Sequence, residues 1–137
     1  MSGPLPVPEV LDAFREWAEW TRAHPGEQQP DDLTGWFEFN WLVGDYPEQA
    51  WSAILAALED PRLEDSLGVL AAGPLEDLLS NHGEAFIRRV EETAQSNPKF
   101  AWLLGGVWQF QMTDDVWRRV QAVWDRRGWD GVPPNAV

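Results

Sequence analysis

Apolar and polar positions alternate along this chain mostly at helical spacing. Val7, Val10, Leu11, Phe14, Trp17, Ala18 and Thr21 share one face, and Glu9, Asp12, Arg15, Glu16, Glu19 and Arg22 share the other. That pattern predicts an amphipathic helix from about Pro8 to Ala23. His24-Pro25-Gly26 ends it, because proline cannot continue a helix. Asp31 and Asp32 read as N-caps of a second helix, about Leu33 to Val43, closed by Gly44-Asp45. Trp36, Phe37, Phe39, Asn40, Trp41 and Leu42 crowd that helix on nearly every side, and a helix apolar all round is buried or lines a pocket.

Pro47 suits the first turn of a third helix, which carries Trp51, Ile54, Leu55 and Leu58 as its stripe and ends at Asp60-Pro61. Two short helices are expected next, one over about Leu63 to Ala72 and one starting at Pro74. Gly73 reads as a helix end and Pro74 as a helix start, and Asn81-His82-Gly83 as a second stop. Ala85 to Ser96 is amphipathic, with Phe86, Ile87, Val90 and Ala94 inward. Asn97-Pro98 opens a helix whose core face is Phe100, Leu103, Leu104, Val107 and Trp108, with Gly105-Gly106 as a close crossing or kink. Thr113-Asp114-Asp115 caps a last helix, about Asp114 to Arg127, with Val116, Trp117, Val120, Val123 and Trp124 inward. Only Trp36 to Trp41 partly alternates with period two.

The expected fold is all-α: a compact bundle of about seven short helices packed as antiparallel hairpins. The 137 residues fit one domain, with residues 1–6 and 129–137 as tails. No repeat of fixed period is present, so a solenoid is not indicated.

Charge narrows the function classes. The formal net charge is −13. Residues 1–82 hold 16 Asp/Glu against 3 Lys/Arg, and residues 83–137 hold 7 of each, so the whole excess lies in the first part. Such a surface repels phosphates and anionic lipid, which argues against direct nucleic-acid or membrane binding. A basic protein is the complementary partner; solubility alone is the plainer account of the acidity. With no cysteine there are no disulfides, thiolate metal sites or cysteine nucleophiles, which suits a cytoplasmic protein. Neither a signal peptide nor a membrane-spanning run is expected.

Ten tryptophans stand out. Helical phase puts Trp17, Trp51, Trp108, Trp117 and Trp124 inward, as core filling. Trp20, Trp41 and Trp129 fit no inward stripe and are candidate binding anchors. The carboxylate pairs Asp31/Asp32, Glu76/Asp77 and Asp114/Asp115 fall at expected helix starts, where capping and the helix dipole explain them. Glu16/Glu19 lies on a solvated face. His24 and His82, the two histidines, each close an expected helix and read as C-terminal caps. No nucleophile elbow, phosphate loop, dinucleotide fingerprint or paired Glu-x-x-His spacing occurs, and no cofactor or metal is implied.

The run from Leu70 to Leu79, AAGPLEDLL in its last nine residues, followed by His82-Gly83, resembles an uncharacterised bacterial family of small helical proteins defined as a domain of unknown function. The likeness extends to Asp45, Pro47, Trp51, Ile87, Glu91, Phe100 and Gly106-Val107-Trp108, and covers roughly residues 36–124. It implies a helical fold and a bacterial source, and no activity. A site shared by that family would fall at Glu76, Asp77 and His82.

The leading expectation is a non-enzymatic acidic module that binds a basic protein, in the manner of an immunity or antitoxin-like inhibitor. Glu16, Glu19 and Trp20 are the expected contacts, then Asp31, Asp32 and Asp45. The alternative is a small-ligand binder or enzyme with a pocket lined by Trp36, Trp41, Trp102 and Trp108, with Glu76, Asp77 and His82 as its polar groups. A structural subunit of a larger assembly is a third reading.

Overall fold

A computed structural model describes residues 4–127 and 129. Among these there are seven α-helical segments and no strand: α1 (Val7–Ala23), α2 (Gly35–Asp45), α3 (Pro47–Glu59), α4 (Leu67–Leu70), α5 (Glu76–Ser96), α6 (Pro98–Leu104) and α7 (Asp114–Val123). The all-α fold expected from the pattern is the fold observed. The ends assigned to residues 1–3, 128 and 130–137 lie outside the described residues.

Helix α1 buries Val10, Leu11, Phe14 and Ala18, the stripe its periodicity marks. It lies against α2 so closely that a Cβ on Gly35 would meet the Ala13 carbonyl oxygen at 2.0 Å. That crossing, rather than an acidic cap, decides where α2 begins. Asp31 and Asp32 do not cap it: the residue before the helix is Thr34, and its side chain makes no capping bond. Phe14 meets Phe39 of α2 edge-on at 5.1 Å between centroids, a favoured aromatic geometry. Helix α3 starts at Pro47 as expected and buries Trp51, Ile54 and Leu58. These faces join those of α5, α6 and α7 in one apolar core.

The larger departure lies between residues 61 and 96. A 3₁₀ turn (Pro61–Ser66) is capped by Asp60, whose carboxylate accepts from the Arg62 amide at 3.0 Å. From Leu67 the chain then stays helical as far as a break at His82, and is helical again to Ser96. Gly73-Pro74 does not separate two helices but sits inside a π-helical turn (Ala71–Leu75) that joins α4 to α5. A wide turn absorbs the missing N–H of Pro74 without ending the helix, and such turns often mark functional sites. The helical run does break at His82, as expected. This residue is a kink within α5, at φ −136° and ψ 26°, and its Nε2 donates to the Val43 carbonyl at 2.9 Å, at the C-terminal end of α2. It therefore caps a neighbouring helix instead of its own. His24 does end α1, stacked on Trp20 at 4.3 Å.

Helix α6 stops at Leu104, short of the expected extent. Gly105 and Gly106 follow because the chain returns on top of them. A Cβ at Gly105 would lie 2.0 Å from the Asp125 carbonyl oxygen, and one at Gly106 would lie 2.7 Å from the Trp129 ring. Trp129, expected in a tail, packs on the core and donates from Nε1 to the Trp102 carbonyl at 2.7 Å. Helix α7 ends at Val123 rather than near Arg127. Among the described residues no helix is long and apolar enough to cross a membrane.

Candidate binding site

Helix α2 places Trp36 and Asn40 one turn apart on one line, and Phe37 and Trp41 on the next, following the i, i+4 rule. These four residues line a recess of about 590 Å³. Its walls are held from behind. Trp36 lies 5.1 Å from Trp17 between ring centroids, and Gly73 leaves room for its benzo edge: a Cβ there would come within 2.6 Å of the ring. Trp41 donates from Nε1 to Asp45 at 3.0 Å and meets Tyr46 edge-on at 5.9 Å. Phe37 stands out from the surface with 73% of its area exposed.

Behind the recess is the start of α5, with Glu76 and Asp77 in its first turn. The Asn40 amide satisfies both of its neighbours in one orientation, in which Nδ2 donates to Asp77 at 3.1 Å and Oδ1 accepts from Trp36 Nε1 at 2.8 Å. Glu76 accepts from the Trp108 amide at 2.9 Å, and Ser80, one turn on, accepts from the Gln111 amide at 3.3 Å. The α6–α7 loop is thereby fastened along α5, and it presents Trp108 and Phe110 to solvent at 61% and 66% exposure. Trp108 was expected in the core. Its phase was lost when α6 ended four residues earlier.

Both carboxyls are half-buried, and burial pushes each above its usual range. For Glu76, the bond from Trp108 opposes the shift and the neighbouring Asp77 charge adds to it. Among the described residues neither has an ion pair. Of the four other half-buried carboxylates, three have an arginine: Asp60 with Arg62 at 2.9 Å, Glu91 with Arg119 at 2.6 Å and Asp125 with Arg127 at 2.9 Å; Glu38 has no ion pair among the described residues. Those arginines hold all three carboxyls below the usual range.

The chain's own cations are already engaged. Of its 10 Lys/Arg, eight form ion pairs among the described residues. Arg22 donates to the buried Ser66 hydroxyl at 2.9 Å. Arg126 sits between Trp108 and Trp124, 5.0 and 4.8 Å from their centroids, and donates to the Gly105 carbonyl at 2.9 Å. Residues 1–3, 128 and 130–137 contain no Lys or Arg.

Residues 24–128 match the model of a family of unknown function, DUF6869. The chain belongs to that family. No curated protein and no solved structure matches it. The DUF6869 match begins just after α1, so it contains the recess, the carboxylate pair and the α6–α7 loop, and leaves out Glu16, Glu19 and Trp20.

The residues expected to form a pocket are only partly brought together. Trp36 and Trp41 line the recess, Asp77 is bonded to its lining residue Asn40, and Glu76, next to Asp77 in sequence, is bonded to Trp108. His82 lines a different cavity of about 340 Å³ at the α5 kink, together with Ser80, Gln111 and Thr113. Trp102 lies elsewhere, beside Glu64, Pro98 and Lys99. The expected acidic contacts are also divided. Glu16 and Glu19 are exposed on α1, Glu19 being paired with Arg15 at 3.2 Å, and Trp20 is half-buried against His24. Asp31 and Asp32 are exposed just before α2. Asp45 is at the other end of that helix, about 15 Å along its axis. Phe37, Asn40 and Phe110 were not singled out as site residues. Asn40 carried a signal nonetheless, as the one uncharged polar side chain in a run of aromatics that the fold half-buries. Among the described residues no group of three or more His, Cys, Asp and Glu is placed to hold a metal ion.

Proposed function

We propose that this protein is a non-catalytic acidic module that binds a basic protein, in the manner of an immunity or antitoxin-like inhibitor in a bacterial cytoplasm. In this reading its contact face is the aromatic surface over Glu76 and Asp77. One observation supports it: among the described residues two half-buried carboxylates have no cation, and the lysine and arginines there are engaged elsewhere. A charge left partly desolvated and uncompensated is costly, and a cation from outside removes that cost. Around it stand Phe37, Trp41 and Trp108, the residue types that dominate the energetics of binding surfaces. Glu16, Glu19, Asp31 and Asp32 act at longer range, raising the encounter rate with a basic face.

The test is affinity capture from the native host lysate at low and high salt. The bait is the parent chain in one arm and Phe37→Ala with Asp77→Asn in the other. One stoichiometric basic protein, weakened by salt and lost with the double variant, is the expected result. A partner retained equally by both baits refutes this face.

A second reading has its own support: a recess of about 590 Å³ falls in the size range of small-molecule pockets. In that case a small organic cation quenches tryptophan fluorescence saturably, and no basic protein is captured.

A further inference from the structure

Within the protein-binding reading, on which this inference rests, the recess on α2 has features that narrow its guest. Its walls are aromatic and its one polar lining side chain is the Asn40 amide. Asn40 links the indole N–H of Trp36 to Asp77. Asp77 Oδ2 takes the Asn40 bond, and among the described residues Oδ1 accepts none. The walls are fixed before any guest arrives, Trp36 by Trp17 and Gly73, Trp41 by Asp45 and Tyr46. A preformed slot of this kind loses little entropy on binding.

We propose that the recess between Trp36, Phe37 and Trp41 receives one arginine side chain of the partner, whose guanidinium reaches the Asp77 carboxylate. Charge complementarity selects a cation, since the chain carries −13 and Asp77 has no counter-ion among the described residues. Ring geometry selects arginine over lysine. A planar guanidinium stacks on aromatic faces and donates sideways to a carboxylate at the same time, whereas an ammonium keeps more of its hydration.

The protein's own arginines display this mode. Arg89 lies over the Phe86 ring at 4.7 Å while donating twice to Glu48, at 2.7 and 2.8 Å. Arg126 lies between two indoles. The recess offers the same pairing of ring and carboxylate with the arginine left to come from outside.

The test uses the full chain and three capped tripeptides with glycine on either side of arginine, lysine or citrulline. Citrulline keeps the shape of arginine without its charge. The ten indole N–H signals are followed by two-dimensional NMR as each peptide is titrated. The arginine peptide is expected to shift the Trp36 and Trp41 signals saturably in the millimolar range, leaving Trp51 and Trp102 in place. The lysine and citrulline peptides should bind at least about threefold more weakly. Phe37→Ala, an exposed position, and the isosteric Asp77→Asn should each weaken the arginine peptide by about three- to tenfold.

Equal binding of citrulline or lysine, shifts centred on other indoles, or no saturation by about 50 mM, weaker than any useful anchor, each overturn the proposal. If a basic partner is captured through Phe37 and Asp77 while the arginine peptide fails, the face stands and the arginine anchor falls. If the peptide binds as expected and no basic protein is captured, the anchor chemistry stands and the protein-binding reading falls.

Discussion

Gly73→Ala against Gly68→Ala sets two opposite expectations only five residues apart. In an ordinary helical setting, exchanging glycine for alanine removes chain entropy from the unfolded state and stabilises by about 0.4–1 kcal/mol. Gly68, in α4, is such a setting: a Cβ there meets only the edge of Trp129, at 3.9 Å, an ordinary contact. At Gly73 the new carbon would lie 2.6 and 2.8 Å from two atoms of the Trp36 ring. Relief needs the ring to retreat by about 1 Å to reach normal carbon separation. Trp36 has little freedom to do so, being packed on Trp17 and bonded to Asn40. Overpacking of this kind costs about 1–3 kcal/mol. Net of the entropy gain, Gly73→Ala should destabilise by about 0.5–2 kcal/mol, while Gly68→Ala should stabilise by a few tenths up to about 1 kcal/mol.

Urea unfolding followed by circular dichroism reads both values at constant slope. The Trp36 indole signal should move in the first variant and stay in the second. Equal stabilisation by both alanines would refute the close packing of Trp36 on the π turn, and with it the account of how the recess wall is held.

Three further outcomes follow from charge. Glu76 and Asp77 titrate above their unfolded range because of burial. Their contribution to stability is therefore present below the unfolded carboxylate pKa and is lost as pH rises through the folded one. Glu76→Gln with Asp77→Asn should unfold at higher urea than the parent near neutral pH, the advantage shrinking on acidification; an advantage that grows on acidification would refute this. Glu91 has the opposite sign, since Arg119 lowers it, so its share is lost as pH falls through its folded pKa and Arg119→Ala should flatten the acid limb. For the captured partner, Glu16→Lys with Glu19→Lys should slow association strongly at low salt and little at high salt, read by stopped-flow or biosensor kinetics. An unchanged association rate would remove α1 from the encounter surface.

The helices α1, α3 and α7 were legible because each buries one stripe and solvates the other, so hydrophobic phase suffices to find them. What escaped was set by contacts distant in sequence. Gly73-Pro74 reads locally as a stop but sits in a π turn beneath Trp36, and His82-Gly83, where the helix does break, is a kink bonded to Val43. No neighbour within the same segment announces either contact. The end of α6 depends on Asp125 and Trp129 returning over Gly105 and Gly106, some twenty residues downstream, so the phase that put Trp108 in the core stopped applying before it was reached. Glu76 and Asp77 were legible only as carboxylates in a first helical turn, the plainest reading of such a pair. That they are half-buried and, among the described residues, without an ion pair emerges only from the folded structure.

That Glu76 and Asp77 have no ion pair among the described residues is the feature that stability alone does not explain. Folding moves both from water into partial burial, and each carries the desolvation that raises its pKa. The fold shows elsewhere how it handles that cost, placing an arginine against Asp60, Glu91 and Asp125. At the α5 start a leucine or glutamine would relieve the cost without a partner. Exposing Phe37, Trp108 and Phe110 around the same spot adds a second departure from a surface shaped only for solubility. Two independent departures that meet on one face, one in charge and one in apolar exposure, are each corrected by the same event, the arrival of a cationic and partly apolar surface. Local inconsistency of this kind is where functional sites are expected. Here it falls within residues 24–128, the part of the chain that carries the family match.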